Sequence, residues 1–170
     1  MNSRQAWTVY LISLLVAAMH MTWARNVLPA TVASHFGASG QADSFTDADG
    51  FLRGYAVLML FMALTFGGLA RLFPRLPDSV FNIPHRPYWL APERRAATLN
   101  GFVAHYLLIG TATNLFLVGT MHATVVANRQ IVGEPRLPGW FWLLFTVYMV
   151  GVIAWAIMLT RRYRRVPGQP

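Results

Sequence analysis

Imidazoles are the side chains in this sequence best suited to chemistry. There are five histidines. His20, His105 and His122 lie in long apolar stretches, and His35 lies in a polar segment between two of them. Neutral imidazole suits Zn²⁺, Cu²⁺ and haem iron alike. If the chain runs back and forth across a bilayer, His20, His35 and His122 fall on one side, where Asp43 or Asp47 could complete a metal site. His105 and His122 are 17 residues apart. That is roughly 25 Å along a helix, too far to share one ion or one haem. The spacing also argues against a metal, because no two histidines are three or four residues apart and no HExxH occurs. A histidine at the end of a span can equally hydrogen-bond a neighbouring helix or a headgroup.

Other chemistry finds little support. Cysteine is absent, which excludes disulfides, thiolate metal sites and covalent haem attachment. Ser13, Ser34, Ser39, Ser44 and Ser79 have no GxSxG elbow and no recognisable base nearby. No Walker-type phosphate loop is present. Enzymatic function is therefore not expected, and the cofactor expectation is none, with metal or haem as the alternative.

The elements that must position these residues are apolar. Hydrophobic residues make up 55% of the 170, and charged ones only 12%, about half the ~25% of soluble domains. Four stretches, 7–24, 54–73, 102–127 and 140–160, are long enough to cross a bilayer, which takes roughly 20 helical residues. The expected fold is all-α and integral to the membrane: one domain of four transmembrane helices, with an ordered extracytoplasmic loop, 25–53, between the first two. Residues 74–98 form the inner loop. No Asp, Glu or Arg lies well inside a span, which disfavours an ordinary proton-driven transporter. Gly67, Gly68, Gly101, Gly110 and Gly119 suit close helix packing. Met19, Met21, Met59 and Met62 read as lipid-facing or core rather than copper ligands.

The net charge of +8 is distributed as in a membrane protein, not as in a nucleic-acid binder. Arg4, the cluster Arg71, Arg75, Arg86, Arg94 and Arg95, and the tail Arg161, Arg162, Arg164 and Arg165 fall on one side of a four-span chain. Arginines on the other side are fewer and are accompanied by acids. The positive-inside rule then puts both termini in the cytoplasm. Residues 7–19 are short enough for a signal-peptide core, and Thr22-Trp23-Ala24 loosely resembles a cleavage site. The lone Arg4 ahead of it and Trp23 as an interfacial anchor favour a retained span.

Two polar segments have the texture of motifs. The first contains Leu28-Pro29, His35-Phe36, Gly40, Asp43 and Phe45. It has no helical period and many turn formers, and Phe36 and Phe45 could dock it as a cap. The second contains Asn82-Ile83-Pro84, then Tyr88-Trp89-Leu90-Ala91-Pro92-Glu93-Arg94-Arg95. With the flanking spans these segments resemble a bacterial membrane family, that of the domain of unknown function 1648, over most of residues 8–125. Phe45 stands where that family's pattern has Trp, the Lys that shortly follows is missing, and His85 stands where Asn is expected. The resemblance implies a polytopic protein of the bacterial inner membrane. Larger relatives are similar to the immunity protein for a sporulation-delaying toxin.

In the second segment Pro84, Pro87 and Pro92 forbid a continuous helix. Tyr88 and Trp89 favour the headgroup level. Pro92 and Glu93 suit the first turn of the third helix. Arg86, Arg94 and Arg95 are expected to face anionic cytoplasmic lipid, each worth ~1 kcal/mol. The segment reads as an aromatic anchor, or more sharply as a site for a headgroup, phosphate or partner.

Three functions are open. The first is a non-enzymatic accessory or immunity-like protein that acts through the outer loop on a protein partner or a second copy. The second is a metal- or haem-binding protein using the outer histidines. The third is a small transporter or lipid-binding component. The lipid bilayer is a partner in all three, and nucleic acid in none.

Overall fold

A computed structural model describes residues 1–130 and 133–166. Helices account for 74% of it, and four of them are long and apolar enough to cross a membrane. They are α1 (Ser3–Val27), α2 (Ala48–Arg75), α3 (Pro92–Asn128) and α4 (Trp140–Arg164). Each extends beyond the apolar run that marks it, except at the start of α4, because local caps rather than hydrophobicity set helix ends. Asn2 and Gln5 form a reciprocal capping box at the start of α1. Leu28, extended ahead of Pro29, ends it. Asp47 caps α2 by accepting from the Gly50 amide at 2.7 Å. Helix α3 begins at Pro92, so residues 92–98 are its first turns rather than loop. At 37 residues it is about 55 Å long, well beyond a ~30 Å hydrocarbon layer.

Helix α1 packs along α3 for most of its length. Near the chain start, Ala6 and Tyr10 of α1 meet Ala70 of α2 and Val103, Ala104 and Leu107 of α3. Towards the other end, Ala24, Leu52, Tyr55, Met121 and Val125 form a second apolar cluster. Helix α4 leans on α3. The Phe116 and Tyr148 rings stack 4.3 Å apart, and Tyr148 and Thr113 share a hydrogen bond of 3.0 Å. Its other side leaves Leu143, Val150 and Ile153 between 55% and 67% exposed. An apolar face this open suits lipid.

Two of the small-residue positions sit at close approaches, and of these Gly110 is the one whose neighbour cannot swing aside. A Cβ on Gly110 would lie 2.7 Å from the Phe66 ring, and one on Gly119 would lie 2.5 Å from the end of Leu144. Gly68 has no neighbour that would require glycine, whereas Gly67 and Gly101 face ordinary contacts.

The all-α expectation needs one correction. Between α1 and α2 the chain forms a two-stranded antiparallel hairpin, β1 (Thr31–Phe36) and β2 (Ala42–Asp47). A bulge at Ser34 breaks the register between Ala33↔Phe45 and His35↔Ser44. The turn needs Gly40, whose φ is +80°. Strand pairing satisfies the backbone where no helix continues. The end of α3 completes the mount: the Asn128 side chain accepts from the Ala33 amide at 2.7 Å and donates to the Ala33 carbonyl at 3.1 Å. The hairpin tip is tied to the third loop, with Ala42 N–H donating to Pro135 O at 3.0 Å and Leu137 N–H to Gly40 O at 2.9 Å.

The two ends of the molecule therefore differ. The hairpin and residues 133–139 share one. At the other, Ser3 bonds Asn100, and Trp89 bonds the Tyr163 carbonyl near the end of α4.

Asn128→Ala removes both bonds to buried Ala33. The expected loss is about 1–3 kcal/mol of local stability, read as ~10- to 100-fold faster amide exchange in β1 and β2 with the helices unchanged. Unchanged exchange in the hairpin would show that something else holds it.

Candidate functional site

At the hairpin end, α1 and α3 bring together two of the three histidines expected to share one side. His20 Nε2 and His122 Nδ1 are 3.2 Å apart. Trp23 stacks on His122 with centroids 5.4 Å apart and lies 5.1 Å from His20. Trp140 approaches His122 from α4 at 6.1 Å. His20 Nδ1 is buried without a hydrogen-bond partner. The pair can share one hydrogen bond if one ring donates and the other accepts. It could instead supply two nitrogens to one ion.

His35 does not join them. It stands on the exposed hairpin and bonds Asp43 through Nδ1 at 2.5 Å. Among the described residues no three His, Cys, Asp or Glu side chains gather as a metal site. The expected triad of His20, His35 and His122 is thus divided, because strand pairing puts His35 close to Asp43 across the hairpin. Asp47 is likewise committed, as the cap of α2 with Arg53 3.9 Å away.

The residues of the segment between α1 and α2 have separate tasks. Leu28 and Pro29 turn the chain out of α1, and Gly40 makes the turn. His35 and Asp43 pair across the strands, while Phe36 is half-buried and Phe45 is 55% exposed. Phe45 does not pack against the span ends; Val32 and Ala33, buried completely, do so.

The residues between α2 and α3 fold upon themselves around Phe81, Leu90 and Leu99. A single turn, Arg86–Trp89, is the only helix between Pro84 and Pro92. Asn82 and Pro84 lie in the irregular stretch before it. The Trp89 indole donates to the Tyr163 carbonyl at 3.0 Å, which ties the loop to α4. Arg94 lies 4.2 Å over the Tyr88 ring, donates to the Tyr88 carbonyl at 2.8 Å and pairs with Glu93 at 2.9 Å. Arg95 corrects an expectation. It turns inward to Asp78 at 2.8 Å and to the Leu76 carbonyl at 2.9 Å, so it latches the loop rather than facing lipid. Arg86 reaches the Ser79 carbonyl at 3.4 Å.

A third polar group lies mid-helix, and of it the sequence marks Asn114 as a polar residue inside a span but not its grouping with Tyr10 and Tyr106. Residues Leu64–Gly68 of α2 form a π-helical turn, a local widening that disturbs the regular carbonyl pairing. The Tyr10 hydroxyl lies 3.3 Å from both the Met62 and Ala63 carbonyls, and the Tyr106 hydroxyl donates to Thr65 O at 3.2 Å. Beside Tyr10, the Asn114 amide donates to Ser13 Oγ at 3.1 Å, and Ser13 donates to the Tyr10 carbonyl at 2.7 Å. The only sequence signal was polar side chains inside apolar runs. Nothing in their spacing announced the π turn.

Comparison with family models, curated proteins and solved structures finds no match.

The Gly50 amide holds the exposed Asp47 carboxyl below its ordinary value of 3.8. A depressed carboxyl stabilises the fold above its unfolded-state pKa, and the effect is lost as pH falls through the lower folded-state value. The Gly50 amide resonance is therefore expected to titrate with a midpoint under 3.8 and to stop titrating so in Asp47→Asn. A midpoint at or above that value would contradict the cap.

Proposed function

We propose that this chain is a four-span integral membrane protein that works by binding, with the hairpin end as its recognition surface. The observation that carries this reading is the mounting of the hairpin. Asn128 holds β1 by both polar groups of Ala33, and the tip is bonded to the third loop. A rigid mount lowers the entropy lost when a surface is bound. That surface offers an exposed aromatic, Phe45, beside an exposed His35–Asp43 pair. The absence of nucleophile and phosphate-loop motifs favours binding over catalysis. By the positive-inside rule the arginine-rich end faces the cytoplasm and the hairpin faces outward; the resemblance implies the inner membrane of a bacterium. An immunity-like or accessory role is the form that the resemblance suggests; the hairpin carries the proposal.

The test is a photocrosslinker placed at Phe45 in native membranes, with one at Leu143 on α4 as control. A discrete adduct from Phe45 that disappears in His35→Ala with Asp43→Ala is expected. An adduct of twice the chain mass would make the partner a second copy. No discrete adduct, or one indifferent to both substitutions, would sink the reading.

The His20–His122 pair favours a second reading. Two nitrogens held at ~2.0–2.1 Å on a tetrahedral ion are about 3.3 Å apart, and these are 3.2 Å apart. With the rings this close there is no room for a macrocycle between them, so a small ion is favoured over haem. Zinc titration of detergent-purified protein, followed by calorimetry, should then show one site per chain, weakened at least ~10-fold by either His20→Ala or His122→Ala. Binding insensitive to both substitutions, or none, would leave the pair a helix–helix hydrogen bond.

A further inference from the structure

The face that α3 turns towards α4 changes character along its length. At the arginine-rich end a cavity of about 130 Å³ is walled by Trp89, Arg94, Thr98, Arg162 and Tyr163. Deeper between the same helices lies a groove of about 340 Å³ walled by Leu108, Ile109, Ala112, Val152 and Trp155. His105 stands between the two, 5.8 Å from Trp155. On α3 the positions 94, 98, 101, 105, 108 and 112 recur at three- and four-residue steps and form one stripe. On α4 the positions 148, 151 and 155 do the same, and 162 lies seven residues further along that face. A Cβ on Gly101 would make ordinary contacts, 3.9 Å to the Tyr163 hydroxyl and 4.0 Å to an Arg162 guanidinium nitrogen, whereas a Cβ on Gly151 would meet nothing within 4 Å.

The charges along this track are unequal. Arg94 is committed to Tyr88 and Glu93. Arg162 makes no hydrogen bond or ion pair with any described residue. An uncompensated guanidinium at the end of a span, with aromatic rings beside it and an apolar groove below, matches an amphiphile with an anionic head. The depth also matches. From Gly101 to Ala112 the helix rises about 17 Å, close to one leaflet of a ~30 Å hydrocarbon layer. His105 stands one turn below Gly101, about 6 Å further along the helix.

We propose that the α3–α4 seam is a site for one anionic phospholipid. The phosphate sits at Arg162, with Arg94 beside it and the Trp89 and Tyr163 rings flanking it. One acyl chain runs past Gly101 and His105 into the groove at Ala112 and Gly151. This goes beyond the hairpin reading and does not depend on it, since the seam opens at the other end of the molecule.

The experiment is native mass spectrometry of the full chain, released from micelles supplemented equally with phosphatidylglycerol and phosphatidylcholine. One phosphatidylglycerol per chain is expected, retained at least ~5-fold over phosphatidylcholine. Arg162→Gln should abolish the preference. Arg164→Gln removes the same charge outside the seam and should preserve it. Gly151→Leu fills the groove without changing charge and should reduce retention of the lipid; thermal melting confirms that each variant is folded. Equal retention of the two lipids by the unsubstituted chain overturns the site, with no variant needed. Equal losses in Arg162→Gln and Arg164→Gln would reduce it to a generally basic end. Full retention in Gly151→Leu would remove the acyl groove.

Discussion

Backbone amides and carbonyls surrounded by apolar side chains must find partners within the protein, since each one left alone costs several kcal/mol. The irregular features of this chain each meet that demand. The π turn of α2 disturbs a run of carbonyls, and the Tyr10 and Tyr106 hydroxyls approach them from α1 and α3. These are tertiary contacts as well as repairs, so the defect in α2 helps to hold three helices together. At the end of α1 the chain cannot continue past Pro29, and the next residues pair as strands. The amide of Ala33, buried completely, finds its acceptor on Asn128 at the far end of another helix.

Arginine has three uses here, and they divide the molecule by function. Arg95 is an internal latch, its fork spread over Asp78 and loop carbonyls. Arg94 and Arg71 lie over aromatic faces, Tyr88 and Trp7, where the ring quadrupole favours a cation. Arg162 has neither kind of partner among the described residues. A count of positive charge treats all of these alike. Arginines without such partners, Arg162 among them, leave their charge available to a ligand, and Arg162 is the one of these that walls the cavity between α3 and α4.

The two ends also differ in how they are made rigid. The hairpin end relies on hydrogen bonds between distant backbone segments, with an imidazole pair and two indoles beneath it. The arginine-rich end relies on a small apolar core of Phe81, Leu90 and Leu99, closed by Arg95 and by the bond from Trp89 to Tyr163. Helix α4 touches both ends, yet it leaves most of its length to whatever surrounds it.

Hydrophobic runs of about 20 residues, and arginines gathered at alternate ends of them, were legible without any structure, because bilayer thickness and charge cost act on composition alone. Pro92 as the start of α3 was legible for the same local reason, a ring with no N–H to donate. The candidate site was legible as residue types but not as groupings. His20 and His122 are 102 residues apart, and only the register of α1 against α3 brings their rings together. His35 looked like their companion until strand pairing gave it to Asp43. Asn128 and Arg162 carried no signal, since an Asn or Arg at a helix end has many ordinary uses. Local chemistry decides where this chain is helical. Which side chains meet is decided by packing between segments far apart in sequence, and here that packing separates a latch from an open charge and a hydrogen-bonded pair from a triad.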